Sequence, residues 1–225
     1  MEYIYKSLQD LEKKGESIKV GLVGAGQMGS GMVSVAAQMP GLKVVAIADL
    51  KVERGIKAYQ EAGIDRNQIV KVKDFAEAEQ TIINKKVVVT KQANVISRTP
   101  SIQAVVEATG LPSVGVETAL NCIMNKKHII MLNVETDVVV GWILKRLADN
   151  AGVVYTVSDG DEPGVIKGLY NFASSLGFTV VTAGKGKNNP INYYVTPDDC
   201  KKEAKDKDMN PKMLTSFVDG SKTMT

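Results

Sequence analysis

Ile18-Lys19-Val20-Gly21-Leu22-Val23-Gly24-Ala25-Gly26-Gln27-Met28-Gly29 is the stretch that decides how the rest of the chain is read. Its first half is a short apolar run that reads as a buried strand. After it, Met32, Val33, Ala36 and Ala37 recur at helical spacing. The glycines therefore fall where a strand ends and a helix begins, the context that makes G-x-G-x-x-G a dinucleotide-binding signal. Gly24 permits a tight turn, Gly26 lets a diphosphate approach the backbone, and Gly29 lets the helix lie close on the strand. The helix's first N–H groups, around Ala25, Gln27 and Met28, and its positive dipole end would face the phosphates. Leu42 to Ala48 reads as the next strand and Asp49 closes it, twenty residues after Gly29. A carboxylate there accepts hydrogen bonds from the adenosine ribose and favours NAD over NADP, because it repels a 2′-phosphate. Lys51 or Arg54 would relax that preference, so NADP stays open.

The expected fold class is α/β, a doubly wound parallel sheet. Six strands are expected, with Val87-Val88-Val89, Ile102 to Val106, His128 to Leu132 and Gly152 to Val157 following the first two. Residues 65–101 read as a loop, a helix and a polar insertion around the Val87 strand. Thr109 and Gly110 end the fourth strand and Asn133 and Glu135 follow the fifth. All four fall at carboxyl ends, where the crevice of such a sheet takes the nicotinamide half of a cofactor. His128, the single histidine, stands at the opposite end and reads as structural. Asp137 or Thr136 suits the N-cap of the next helix, and Trp142 on that helix reads as core. The leading helix, with Tyr3, Ile4, Leu8 and Leu11 apolar, reads as packed on the sheet edge or on a partner.

Residues 1–157 thus form a dinucleotide-binding domain, and 158–225 the start of a substrate domain. The second part opens on Ser158-Asp159-Gly160-Asp161-Glu162-Pro163-Gly164 before a helix from Val165 to Leu176. These carboxylates either hold a divalent cation or sugar hydroxyls, or cap the helix and complement its dipole. Phe178 to Ala183 reads as a strand leading to Gly184-Lys185-Gly186-Lys187. That turn either cradles a substrate phosphate, places a lysine as proton donor, or is a solvated basic turn. Seventy residues hold too few strands for a second sheet, so an N-terminal fragment of a longer chain is expected.

Composition narrows the function classes. Hydrophobic residues make up 44% of the chain, enough for a packed core, and the net charge is only +3. Lysines are scattered among acids and aromatics are 5%, so neither a basic footprint nor stacking platforms for nucleic acid are present. No apolar run reaches the ~18 residues of a membrane span. Cys122 and Cys200 have no metal-like spacing and read as free thiols of a reducing, cytoplasmic compartment.

The fingerprint, Glu107-Ala108-Thr109-Gly110, Asn133-Val134-Glu135 and the Gly-Asp-Glu-Pro-Gly stretch together resemble the homoserine dehydrogenase superfamily. Within it they look like the related oxidoreductases that often carry a C-terminal SAF domain, a group including 1-deoxy-D-xylulose 5-phosphate reductoisomerase-like enzymes. The resemblance implies an NAD(P)-dependent oxidoreductase, a homo-oligomer, acting on a small hydroxylated substrate with or without a phosphate. Asn133-Val134-Glu135 stands where homoserine dehydrogenase has Ala-Asn-Lys, and extra carboxylates suit a polyol or a metal (Mg or Mn) better than an amino-acid carboxylate. In this reading Lys185, Asp159 and Glu162 are the catalytic candidates, and Lys187, Asp161 and Glu135 bind substrate. No metal ligand set is fixed. Two alternatives stand: a metal-dependent sugar-phosphate reductoisomerase, and a non-catalytic dinucleotide-sensing protein.

Overall fold

The computed structural model describes residues 2–160, 162–184, 186, 191–207 and 209–221, for Glu2, Glu162 and Pro163 the backbone alone. The chain divides into two compact units, 1–157 and 158–225.

The first unit is built on seven parallel strands: β1 (Ile18–Val23), β2 (Leu42–Ala48), β3 (Ile69–Lys71), β4 (Val87–Thr90), β5 (Ala104–Glu107), β6 (His128–Met131) and β7 (Tyr155–Val157). They lie in the order β3-β4-β2-β1-β5-β6-β7. The order reverses at β1, whose neighbours β2 and β5 are reached by connections running in opposite directions, so a crevice opens there at the carboxyl edge. The helices between strands are α2 (Gln27–Ala36), α3 (Val52–Glu61), α4 (Phe75–Ile83), α5 (Ala93–Arg98), α6 (Pro112–Met124) and α7 (Val134–Ala151), with α1 (Glu2–Lys13) leading. Both sheet faces are covered. One core joins Val105, Ile129 and Met131 to Ile96, Ala119 and Leu144. The other joins Leu22, Ile47 and Val106 to Val33, Ile56 and Tyr59. Burial on both faces is why these strands read as unbroken apolar runs. Each fully buried Leu or Ile there is worth about 1.5–3 kcal/mol.

Four expectations are corrected in this unit. Residues 65–101 are no insertion but regular α/β structure. Ile69–Lys71 is a seventh, edge strand. Its three residues are too few to show alternation. Thr90 to Ser101 contains α5, a crossover helix whose Val95, Ile96 and Ser97 are buried, with Ile96 against the bare backbone of Gly21. Thr136 and Asp137 do not cap α7. Asn133 does, its side chain accepting from Thr136 N–H, because Thr136 is already inside the first turn. Trp142 is not core but 67% exposed, since the buried stripe of α7 runs through Thr136, Gly141, Leu144 and Ala148. On α1, Tyr3, Ile4 and Tyr5 are exposed and Leu8 alone is fully buried.

The second unit contains α8 (Glu162–Ser175), α9 (Lys201–Asp206) and α10 (Pro211–Val218), with a small core of Cys200, Ala204 and Leu214. Phe178 to Ala183 is not a strand: the segment has no partner ladder among the described residues, and Phe178 and Val181 are exposed.

Gly41 ties α1 to the start of β2. It has φ +63°, and a Cβ there would lie 2.1 Å from the Leu8 carbonyl oxygen. Gly41→Ala is therefore expected to cost about 1–3 kcal/mol in urea unfolding. Trp142→Ala, by contrast, should stay within about 0.5 kcal/mol of the parent.

Candidate dinucleotide site

The carboxyl ends of β1, β2 and β5 are level, with Val23 beside both Ala48 and Glu107. The loops leaving them are stitched together. Gly24 N–H donates to the Ala48 carbonyl at 2.8 Å, and Ala108 N–H to the Val23 carbonyl at 2.8 Å. Two of the three fingerprint glycines have a steric reason. Gly24 has φ +95°, and its missing Cβ would stand 2.9 Å from the Ala108 backbone. A Cβ on Gly29 would meet the Gly24 carbonyl oxygen at 2.0 Å, so α2 can start this close to the turn only without one. Gly26 differs: its φ is an ordinary −75° and a Cβ would meet nothing within 4 Å. Neither strain nor packing demands glycine there. What its bareness leaves is open space over the start of α2, where a diphosphate needs it.

Gly26 is the N-cap of α2 and no side chain caps it. The first intrahelical bond is Ser30 N–H to the Gly26 carbonyl at 2.9 Å. The N–H groups of Gln27, Met28 and Gly29 thus have no acceptor within the helix, and they carry its positive dipole end.

Asp49 turns toward this junction. Its Oδ2 accepts Ala25 N–H at 2.9 Å and its Oδ1 accepts Lys51 N–H at 2.7 Å. Each carboxylate oxygen has a further lone pair, and the residue is half-buried rather than sealed. The side chain is held in place and can still accept from vicinal hydroxyls.

On the other side of β1 lies the β5–α6 turn. Thr109 donates both its N–H, at 3.0 Å, and its hydroxyl to Glu107 Oε1. Leu111 N–H donates to Thr109 Oγ1 at 3.3 Å, and Asn133 Nδ2 donates to the Leu111 carbonyl at 3.1 Å. Thr109, Leu111 and Asn133 therefore meet in one network around Gly110, with the Thr109 hydroxyl spent inside the protein. Glu135 follows in the first turn of α7, half-buried. His128 is at the opposite edge, its Nδ1 accepting Val154 N–H at 3.0 Å.

Glu107 is the residue that sequence reasoning passed over. It is completely buried at the end of a central strand, and its Oε2 has no hydrogen-bond partner among the described residues. Burial pushes its carboxyl above the ordinary range and the charge of Glu135 pushes the same way, against the pull of the Thr109 bonds and the nearby Asn133 amide. Below it, burial pushes the Cys122 thiol up to about 12, which keeps it neutral and inert. The available signal for Glu107 was a lone acid ending the apolar run Ala104-Val105-Val106.

Ala25, Gly26, Gln27, Met28, Gly29, Asp49, Thr109, Gly110, Asn133 and Glu135 all belong to the first unit. Asp159 and Glu162 belong to the second: Asp159 is exposed, and the Glu162 side chain lies outside the described residues, as do Asp161, Lys185 and Lys187. Among the described residues no three His, Cys, Asp or Glu side chains group as metal ligands. No helix among them is long and apolar enough to cross a membrane.

Residues 160–225 match the family described as oxidoreductase DRL, catalytic domain. No curated protein matches the chain. Among solved structures, it is similar to the oxidoreductase yvaA from Bacillus subtilis, at 19% identity and TM-score 0.52, covering 80% of this chain and 46% of that one. It is also similar to an oxidoreductase from Agrobacterium radiobacter solved with NAD+, L-tartaric acid and magnesium, at 14% identity and TM-score 0.51, covering 70% and 41%. The chain spans less than half the length of these proteins. At such identities the likeness is one of fold: a Rossmann-like α/β sheet. A homoserine dehydrogenase assignment is finer than what these likenesses show.

A carboxyl whose folded pKa is raised stabilises the fold fully below its unfolded pKa and loses that contribution as pH rises. Glu107→Gln removes this titration. The stability of Glu107→Gln relative to the parent is therefore expected to improve as pH climbs above the ordinary carboxylate range, read from urea unfolding at several pH values.

Proposed function

We propose that this chain carries the cofactor-binding part of an NAD-dependent oxidoreductase that acts on a small hydroxylated substrate. One observation carries the reading: the capless start of α2, open above Gly26, faces a carboxylate already clamped to Ala25. The groups present fit the cofactor. Gln27, Met28 and Gly29 would hold the diphosphate by their N–H groups, and Asp49 the adenosine ribose. Thr109, Gly110 and Asn133 would border the nicotinamide. The cofactor supplies the hydride chemistry. The chain's task is to orient it, exclude water and move the accompanying proton.

The match of residues 160–225 to an oxidoreductase catalytic domain supports placing substrate chemistry in the second unit. We assign the proton transfer to Lys185 with Asp159 and Glu162, and substrate binding to Lys187, Asp161 and Glu135. The homoserine dehydrogenase-like and reductoisomerase-like resemblance runs over nearly the whole chain and is more specific from Asp159 to Asn189. It favours a polyol or sugar phosphate, with Mg or Mn as an additional cofactor in the reductoisomerase form. A homo-oligomer in the cytoplasm belongs to the same proposal.

NAD is expected over NADP because Asp49, tethered at both oxygens, cannot swing aside for a 2′-phosphate. Asp49→Ala should weaken NAD+ binding about 10- to 100-fold, the value of hydrogen bonds to a charged group, and narrow the gap to NADP+. Calorimetric titration of both cofactors checks this. Unchanged NAD+ affinity removes Asp49 from the site.

A further inference from the structure

The β5–α6 turn contains one residue that is left out of its own network. Thr109 is tied through N–H and hydroxyl to Glu107, and Leu111 through its N–H to Thr109 and through its carbonyl to Asn133 and Gly115. Gly110 lies between them. It is half-buried and held at φ +68°, and neither its N–H nor its carbonyl makes a hydrogen bond among the described residues. Backbone groups shut off from water are normally paired, so a free N–H in a half-buried turn is open to a ligand that covers it. The anchor beneath it is equally unusual. Glu107 is fully buried, uses one oxygen for both Thr109 bonds and leaves the other without a hydrogen-bond partner among the described residues. An orphaned buried oxygen costs stability. An apolar side chain would fill the position at lower cost but would release Thr109.

We propose that Glu107 is the positioning residue for the nicotinamide half of the cofactor: it anchors Thr109 so that the unpaired N–H of Gly110 is aimed at the carboxamide oxygen. The inference rests on the dinucleotide reading and goes beyond it, by assigning a role to a residue that touches no part of the cofactor. Glu107 acts through Thr109, Gly110 makes the contact, and Asn133 braces the turn from α7. None of the three hydrogen-bonds to Asp49 or to the start of α2, which hold the adenine half in this reading.

That separation supplies the test. NAD+ and ADP-ribose share the adenine half and differ in the nicotinamide. Calorimetric titration of the 225-residue chain should give NAD+ a preference over ADP-ribose of about tenfold, one well-made hydrogen bond plus ring burial. In Glu107→Leu that preference should fall to within about twofold while ADP-ribose affinity stays at the parent value. Glu107→Gln should restore it, because an amide oxygen accepts the same two donors. ADP-ribose binding also reports folding, so a collapsed variant is seen at once. In that event Thr109→Val, which removes one of the two anchoring bonds from a half-buried site, must lower the preference. A preference unchanged in Glu107→Leu or Thr109→Val overturns the assignment, and so does Glu107→Gln behaving like Glu107→Leu. A parent chain that binds ADP-ribose but shows no preference for NAD+ overturns it too, leaving the dinucleotide reading intact. Failure to bind ADP-ribose sinks the dinucleotide reading itself.

Discussion

The hydrogen bond from Ala25 N–H to the Asp49 carboxylate joins residues twenty-four apart in sequence across the two strands that matter most. It fixes the glycine turn relative to the end of β2, and Lys51 N–H fixes the other oxygen of the same carboxylate. The turn can be this tight only because Gly24 and Gly29 lack side chains, each having backbone where a Cβ would stand. Remove the carboxylate and the turn loses the side chain that ties it to the end of β2. Remove the glycines and α2 cannot begin where the carboxylate reaches. Glycine turn, helix start and carboxylate are thus one construction, and the seven-stranded sheet holds its parts level.

The parts of this construction that are local were legible in the sequence. A strand, three glycines, a helix and an acid at the next strand's end are each defined by a few adjacent residues, and their spacing is fixed by the βαβ geometry. The small edge element β3 was not legible. Three residues carry no period, and Ile69 is buried only because β4 and α3 happen to cover it. The helix α5 was hidden for a related reason: its six residues include Asn94, Ser97 and Arg98, a polar composition whose apolar stripe is too short to register. Trp142 misled in the other direction. A large aromatic on a helix implies core, yet the buried stripe of α7 is carried by smaller residues.

Glu107 shows most clearly why a candidate site is harder to read than a fold. An acid at the end of an apolar strand looks like the place where the chain returns to solvent. The register against Val23 and Met131 instead puts it in the middle of the sheet. The side chain is roofed by its own turn, and Thr109 bonds back to it. Nothing in the local sequence distinguishes the two outcomes, because burial there is decided by neighbours eighty residues upstream and two dozen downstream. The chain therefore keeps a polar group where packing alone would favour a hydrocarbon. This is the kind of local cost that functional sites retain.

The central claim is that a dinucleotide seats on the amino terminus of α2. Amide chemical shifts of the isotopically labelled chain, followed as NAD+ is added, test it most directly. The account predicts that the saturable changes concentrate at Ala25 to Gly29 and at Asp49 to Lys51, with a second group at Thr109 to Leu111. Shifts absent from Ala25 to Gly29 while changes saturate elsewhere, or no saturable change at all, would contradict it.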